Sequence, residues 1–197
     1  TLWRSELGLV FRRKRNLALL GVLVGATTIL GLAVFWGAEP PREEGGPGPG
    51  FVTDIARNGL FLSFAALTAA LPFFLPLSVS VVSGDSVAGE ASSGTLRYLL
   101  TVPVARARLL AVKYLSIVAY AAAAVLVVTL TGLALGGLLF GYGDVVLLSG
   151  DTIDMGNALP RAALVAGYII AMLAGLGAIG LFFSVVTEVP MAAMATT

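Results

Sequence analysis

Histidine and cysteine are both absent from the 197-residue sequence, and lysine occurs only at Lys14 and Lys113. The absence of cysteine excludes disulfides, thiolate catalysis and thiolate metal sites. The absence of histidine excludes imidazole ligands, the commonest general base and Ser-His-Asp triads. Neither lysine lies in a G-x-x-x-x-G-K-[ST] pattern, so this sequence carries no phosphate-binding P-loop. Any use of ATP would require the nucleotide site of another polypeptide.

Charge of either sign is also scarce. Only 12% of the residues are charged, whereas 58% are hydrophobic, and the mean hydropathy is +0.97. An average soluble domain carries about 25% charged residues. So few charges cannot cover the surface of a water-soluble fold of this size, and the composition therefore predicts an integral membrane protein.

Windows of about 20 uncharged, apolar residues predict helices that cross a hydrocarbon core about 30 Å thick. The sequence contains four complete windows of this kind. A fifth is expected to begin near Pro190, since proline suits the first turn of a helix. The sequence stops soon after this point, so we expect a chain truncated at its C-terminus. The predicted fold is all-α, one transmembrane domain over residues 1–197. The four complete windows are residues 17–36, 59–82, 114–140 and 162–186.

The distribution of basic residues predicts the orientation of these windows. Nine lie before the first window or between the second and third, and only three lie on the other side. By the positive-inside rule, the N-terminus and the loop over residues 84–108 face the cytoplasm. The loops over residues 37–58 and 141–161 then face outward. Asp151 and Asp154 lie in the second of these, where a solvated acidic loop is favoured over a cation site.

Residues 1–16 place apolar side chains among charges at helical spacing, which favours a helix in the membrane interface over a simple basic stop sequence. The apolar members are Leu2, Trp3, Leu7, Val10 and Phe11.

The four windows contain no ionisable residue, which disfavours an ion-coupled carrier and, more strongly, an intramembrane enzyme. Pro72 and Pro76 predict a kink or an unwound turn in the second window. Such a break is consistent with a transport pathway, in which Phe73 and Phe74 contact an amphipathic substrate, or with a static kink. Small residues four apart predict close helix packing. They are Gly21 and Gly25, Gly132 and Gly136, and Gly167, Ala171 and Gly175.

The most informative segment is the basic loop between the second and third windows. Leu96, Leu99 and Leu100 form one apolar stripe of a short helix that Ser92 or Ser93 can cap and Pro103 ends. A short amphipathic helix of this kind is suited to a groove on another protein.

This segment also carries a series of motifs in a fixed order, and it resembles the permease subunits of ABC-2 type ABC transporters. Gly84-Asp85-Ser86 before it is most similar to the branch that includes the permease for nitrous-oxide reductase maturation. The motifs are Gly89-Glu90, Gly94-Thr95-Leu96, Leu99-Leu100, Pro103-Val104, Arg106, Leu109-Leu110 and Lys113.

The resemblance implies six spans, cytoplasmic termini, a multi-pass protein of a prokaryotic plasma membrane, and a dimer of permeases. It implies a separate ATP-binding subunit that holds ATP and Mg, with no cofactor, metal or catalytic residue on this chain. The loop would be the coupling helix that docks on that subunit. The implied docking residues are Glu90, Gly94, Thr95, Leu96, Arg97, Leu99, Leu100, Pro103 and Arg106. Independently of the resemblance, the predicted break gives the candidate pathway residues Pro72, Phe73, Phe74 and Pro76.

Two functions remain open from the sequence. One is the membrane half of an ATP-driven exporter of a hydrophobic or amphipathic substrate. The alternative is a non-transporting membrane anchor or regulatory subunit that recruits a cytoplasmic partner through the same short helix.

Overall fold

The computed structural model describes residues 2–37, 59–92, 106–142, 145–146, 152–187, 194–195 and 197. Apart from one short hairpin, the described regular structure is helical, as the composition predicts. The predicted fifth window lies mostly outside the described residues. In chain order, the elements are α1 (Leu2–Arg12), α2 (Lys14–Gly37), α3 (Gly59–Ala70), α4 (Phe74–Ser92), α5 (Arg106–Phe140), β1 (Val145–Val146), β2 (Thr152–Ile153) and α6 (Met155–Val186).

Helix α5 lies at the centre, and every other helix packs against it. Its buried face follows helical periodicity and provides the middle of the main core. The Phe11 ring of α1 lies 6.2 Å from the Tyr120 ring of α5, so the amphipathic N-terminal helix packs on the bundle. The buried face of α5 comprises Ile117, Tyr120, Ala121, Ala124, Val125 and Val128.

Among the described residues, three helices are long and apolar enough to cross a membrane: residues 14–36 within α2, 107–140 within α5, and α6. The window predicted over 59–82 is instead divided between α3 and α4, whose axes are bent by 55°. The break lies at residues 71–73, where Pro72 has no N–H to donate and its ring clashes with the carbonyl one turn earlier. The kink predicted from the prolines is therefore confirmed.

The bent pair follows α5 along its length in the antiparallel direction. At one end, the backbone of Gly59 approaches that of Gly136 so closely that a Cβ on Gly59 would lie 2.7 Å from the Gly136 carbonyl carbon. At the other end, Glu90 contacts Lys113. Lys113 and Gly136 are 23 residues apart on α5. At 1.5 Å per residue, the two ends of the pair are separated by about 34 Å along α5.

The helices extend beyond the predicted windows. Helix α4 continues ten residues past Val82, and α5 begins eight residues before Tyr114, so the connection predicted over 84–108 is reduced to residues 93–105. Intrahelical hydrogen bonding continues where the side chains become polar, so the hydropathy window underestimates the helix. Helix α6 also begins before its predicted window over 162–186. It begins at Met155, because the side chain of Asp154 accepts a hydrogen bond of 3.0 Å from the Gly156 amide.

The prediction of close packing at small residues is confirmed for one pair. A Cβ on Gly132 would lie 2.8 Å from the Ser63 Cα, and one on Gly136 would lie 2.7 Å from the Gly59 Cα, so α3 and α5 approach closely. A Cβ added to any of the other predicted glycines would have no described atom of another segment within 4 Å. Their close packing is therefore not seen within the described parts of this chain. They are Gly21, Gly25, Gly167 and Gly175.

Candidate functional site

A buried lysine joins the two helices that flank residues 93–105. Lys113, in the first third of α5, is 3% exposed, and its Nζ lies 2.7 Å from the Glu90 carboxylate near the end of α4. The same ammonium group donates to the Ser86 carbonyl at 2.9 Å. A buried charge is stable only when it is paired and hydrogen-bonded, and Lys113 meets both conditions through α4. The pair therefore fixes the end of α4 to the start of α5.

The N-terminal helix joins the same lysine from the other side. A Glu6 carboxylate oxygen on α1 lies 3.5 Å from Lys113 Nζ. At the α1–α2 junction, the buried Asn16 side chain donates to the Val10 carbonyl at 2.8 Å. The lysine thus holds α1, α4 and α5 together.

A second set of charges ties the start of α2 to α4. Asp85 accepts hydrogen bonds from Arg13 and from Arg15, the latter at 2.8 Å. The Asp85 side chain is 13% exposed, but both arginines are more than a third exposed. Solvent therefore weakens this interaction more than it weakens the lysine pair.

These groups surround a cavity of about 30 Å³, which has room for roughly two water molecules. Its six charged side chains comprise three cations and three carboxylates, so the cluster is close to neutral. Within the described residues, the buried Asn16 Oδ1 has no hydrogen-bond partner, and it borders this cavity. The size and the balance of charge favour a structural clamp over a ligand pocket. We call Glu6, Arg13, Arg15, Asp85, Glu90 and Lys113 the charge clamp, and the end of the bundle that holds it the basic end.

A comparison with protein families decides what kind of membrane protein carries this clamp. The family described as ABC-2 family transporter protein matches residues 50–195, which is most of the chain. The chain belongs to this family. It is a multi-pass permease subunit of an ABC transporter, and membership implies an ATP-binding partner subunit. No curated protein and no solved structure matches it significantly.

In this ABC-2 permease, the predicted docking residues fall into three groups. Glu90 has its carboxylate turned toward Lys113 of its own chain, so its position is internal, and its contact with an ATP-binding subunit stays a prediction. Arg106 is the first residue of α5. The remaining docking residues lie outside the described residues. These are Gly94, Thr95, Leu96, Arg97, Leu99, Leu100 and Pro103.

The predicted pathway residues of the permease lie together at the α3–α4 break. Pro72 and Phe73 lie in the break, and Phe74 and Pro76 belong to the first turn of α4. The two rings form an edge-to-face pair with centroids 5.7 Å apart. Phe73 is 62% exposed and Phe74 is 37% exposed, so both present apolar surface outside the described core.

Sequence reasoning missed the clamp as a unit, because its members come from four separate segments. One signal was available: Asp85 lies in Gly84–Ser86, and Glu90 and Lys113 lie at the two ends of the motif series. An acidic and a basic residue that bracket a loop between two spans are candidates for a pair. In the described parts of the chain, no group of three or more carboxylates forms a metal site.

Proposed function

We propose that this permease subunit works in an ATP-driven exporter and docks on its ATP-binding subunit through residues 93–105. ATP and Mg would bind to that subunit, and this chain would contribute no catalytic group. The observation that carries the proposal is the buried Glu90–Lys113 pair, with 2.7 Å between its charged atoms. It joins the two helices from which the docking segment extends, so the segment has a rigid base.

The clamp suggests how force enters the membrane. A push on residues 93–105 would act on α4 and α5 together, because Lys113 holds both helices. It would also act on α1 and α2 through Glu6 and Asp85. A partner that moves this segment would therefore act on four helices of the basic end, rather than on a single loop.

The basic end would lie in the cytoplasm, where the positive-inside rule places arginine and lysine. Helices α3 and α4 would then form one broken span, since the ends of the pair are about 34 Å apart along α5, more than the hydrocarbon core. With α2, α5 and α6 this gives four spans, which is compatible with a permease of six. The Gly84–Ser86 motif supports the branch of the nitrous-oxide reductase maturation permease, and a dimer is the arrangement that this branch implies.

The chemistry of the α3–α4 break suggests the substrate class. Phe73 and Phe74 present apolar rings beside a stretch of helix that is interrupted by two prolines. The charged groups of α4 and α5 are confined to their ends at the clamp. A hydrophobic or amphipathic molecule fits this surface better than an ion, because an ion in the membrane interior needs polar partners. Export is the direction we propose for such a molecule.

The test is co-expression of the full-length permease with its neighbouring genes, followed by purification and measurement of ATPase activity. Leu96→Glu with Leu100→Glu places two charges on the predicted docking stripe. We expect this variant to lose both the ATP-binding subunit and the ATPase activity. The matched control is Leu96→Ile with Leu100→Ile, which retains the apolar stripe and should retain both.

If the wild type purifies without an ATP-binding subunit and the charged variant behaves like it, the docking segment is wrongly assigned. A partner protein without ATPase activity would instead support the membrane-anchor function.

A further inference from the structure

The hydroxyl group of Ser184, near the end of α6, binds the backbone of α4. Its Oγ donates to the Gly84 carbonyl at 2.7 Å and accepts from the amides of Val87 and Ala88, both at 3.0 Å. Ser184 is 1% exposed. One buried hydroxyl therefore makes three hydrogen bonds to the main chain of another helix, 96 to 100 residues away in sequence.

The three backbone groups belong to a single turn of α4. In an α-helix, the amide of residue 88 faces the carbonyl of residue 84. Ser184 thus bridges the donor and the acceptor of one helical turn, in the position where a water or side chain enters a helix that bends. The close approach depends on Gly180, one turn earlier on α6, because a Cβ there would collide with the Ser83 hydroxyl.

The bridged turn is the weakest part of α4 by composition. Gly84 and Gly89 each cost about 1 kcal/mol relative to alanine in a helix interior. The Ser86 hydroxyl donates to the Ser83 carbonyl at 2.7 Å, which diverts a backbone acceptor into a side-chain bond. Residues 83–89 can therefore change their bend more easily than the apolar turns before them. They lie between the membrane part of α4 and residues 93–105.

We propose that Ser184 is a positioning residue that carries movement of the docking segment from α4 into α6. This inference rests on the proposed function, since it assigns a route for the force that an ATP-binding subunit applies. The clamp already links α4 to α1, α2 and α5. Ser184 adds α6 through its three hydrogen bonds to the backbone of α4. The bridged turn of α4 bends, and the end of α6 moves with it.

Two pairs of spin labels test the proposal, and the lack of cysteine in the sequence makes their placement straightforward. The tie pair, at Ser92 and Val186, reports whether the ends of α4 and α6 are held together in the absence of nucleotide. The transmission pair, at Leu138 and Val186, reports movement of the end of α6 relative to the far end of α5, outside the clamp, in the assembled complex when ATP is added. Both side chains of the transmission pair are more than half exposed.

In Ser184→Ala, we expect the tie-pair distances to broaden and the ATP-induced shift of the transmission pair to disappear. The ATP-binding subunit should remain bound and its ATPase activity should remain near the wild-type rate, because the clamp and docking segment are intact. The control is Ser78→Ala, which removes another buried hydroxyl of α4, one that donates to the Leu75 carbonyl of its own helix at 2.8 Å. It should behave like the wild type in both measurements.

Retention of the full ATP-induced shift in Ser184→Ala would overturn the proposal, as would an equal loss in Ser78→Ala. If Ser184→Ala does not assemble, Ser184→Thr and Ser184→Val give the same comparison, since they share a shape and differ in the hydroxyl. If the wild type binds no ATP-binding subunit, the proposed function fails, and the tie pair still decides the role of Ser184. Unchanged tie-pair distances in Ser184→Ala would then refute it.

Discussion

Lys113 Nζ and the Glu90 carboxylate lie 2.7 Å apart in the interior of the basic end, although the two residues are 23 positions apart in sequence. They are the acidic residue that begins the ABC-2 motif series after Gly89 and the basic residue that ends it. The first acidic residue and the last basic residue of the motif series are therefore in direct contact. A partner docked on residues 93–105, as proposed above, would act on a segment whose two flanking helices are joined.

The strongest destabilisation is expected for Lys113→Met. This change leaves the buried Glu90 carboxylate facing an apolar side chain, with Glu6 also deprived of the ammonium group. Breaking a buried ion pair by removing one member costs about 3–5 kcal/mol. Thermal unfolding of the purified protein in detergent measures the loss. Lys113→Met with Glu90→Gln should recover part of it, because the second change removes the buried charge.

A matched control for this prediction is Arg108→Met, an exposed cation five residues earlier on α5. It should change the unfolding temperature little. A loss as large as that of Lys113→Met would mean that charge at this end of α5 matters in general and that the buried pair has no special weight.

A smaller and salt-dependent effect is expected for Asp85→Asn. The side chains of the arginines that bind Asp85 are more than a third exposed, so their interaction with it contributes on the order of 1 kcal/mol or less. Because salt screens exposed charges, the difference between wild type and Asp85→Asn should shrink as the salt concentration rises. Unfolding at low and high salt tests this. A difference that does not change with salt would show that these ion pairs are buried in solution.

Two glycine-to-alanine changes should have opposite effects. Gly136→Ala adds a methyl group that would lie 2.7 Å from the Gly59 Cα, so α3 and α5 must separate, at a cost of about 1–3 kcal/mol. Gly167→Ala meets no described atom within 4 Å and gains up to about 1 kcal/mol of helix propensity. Unfolding temperatures of the two variants in detergent decide this. Destabilisation by Gly167→Ala in the assembled protein would indicate that a second chain or a further segment packs there.

The bend between α3 and α4 should depend on Pro72, which lies in the break. Pro72→Ala with Pro76→Ala restores both N–H donors and should lengthen the distance between spin labels at Phe61 and Ser92 by a few ångströms as the bend opens. Pro76→Ala alone is the control, because Pro76 lies in the first turn of α4, where its missing N–H costs nothing. No change in the double variant would mean that packing against α5, and not proline, fixes the bend.

Much of the fold could be read from the sequence because hydropathy and helix length are local properties. Three of the predicted windows lie within single helices. The division of the remaining one, residues 59–82, was anticipated from Pro72. The ends of α4 and α5 could not be placed, because a helix that leaves the membrane loses the hydropathy signal without losing its hydrogen bonds. The docking role of the Leu96–Leu100 stripe stays a prediction.

The sequence by itself determined that this is an apolar, multi-span helical protein with an ABC-2 motif between its second and third windows, and it predicted that most of the basic residues lie on one side of the membrane. Those features follow from composition and spacing, which need no knowledge of neighbours. Only the tertiary structure decided that Lys113 pairs with Glu90, that Asp85 binds two arginines, and that the Ser184 hydroxyl binds three backbone groups of α4. Such contacts join residues from 23 to 100 positions apart, and their energies depend on burial and on distances of a few ångströms, which are fixed only when the helices pack.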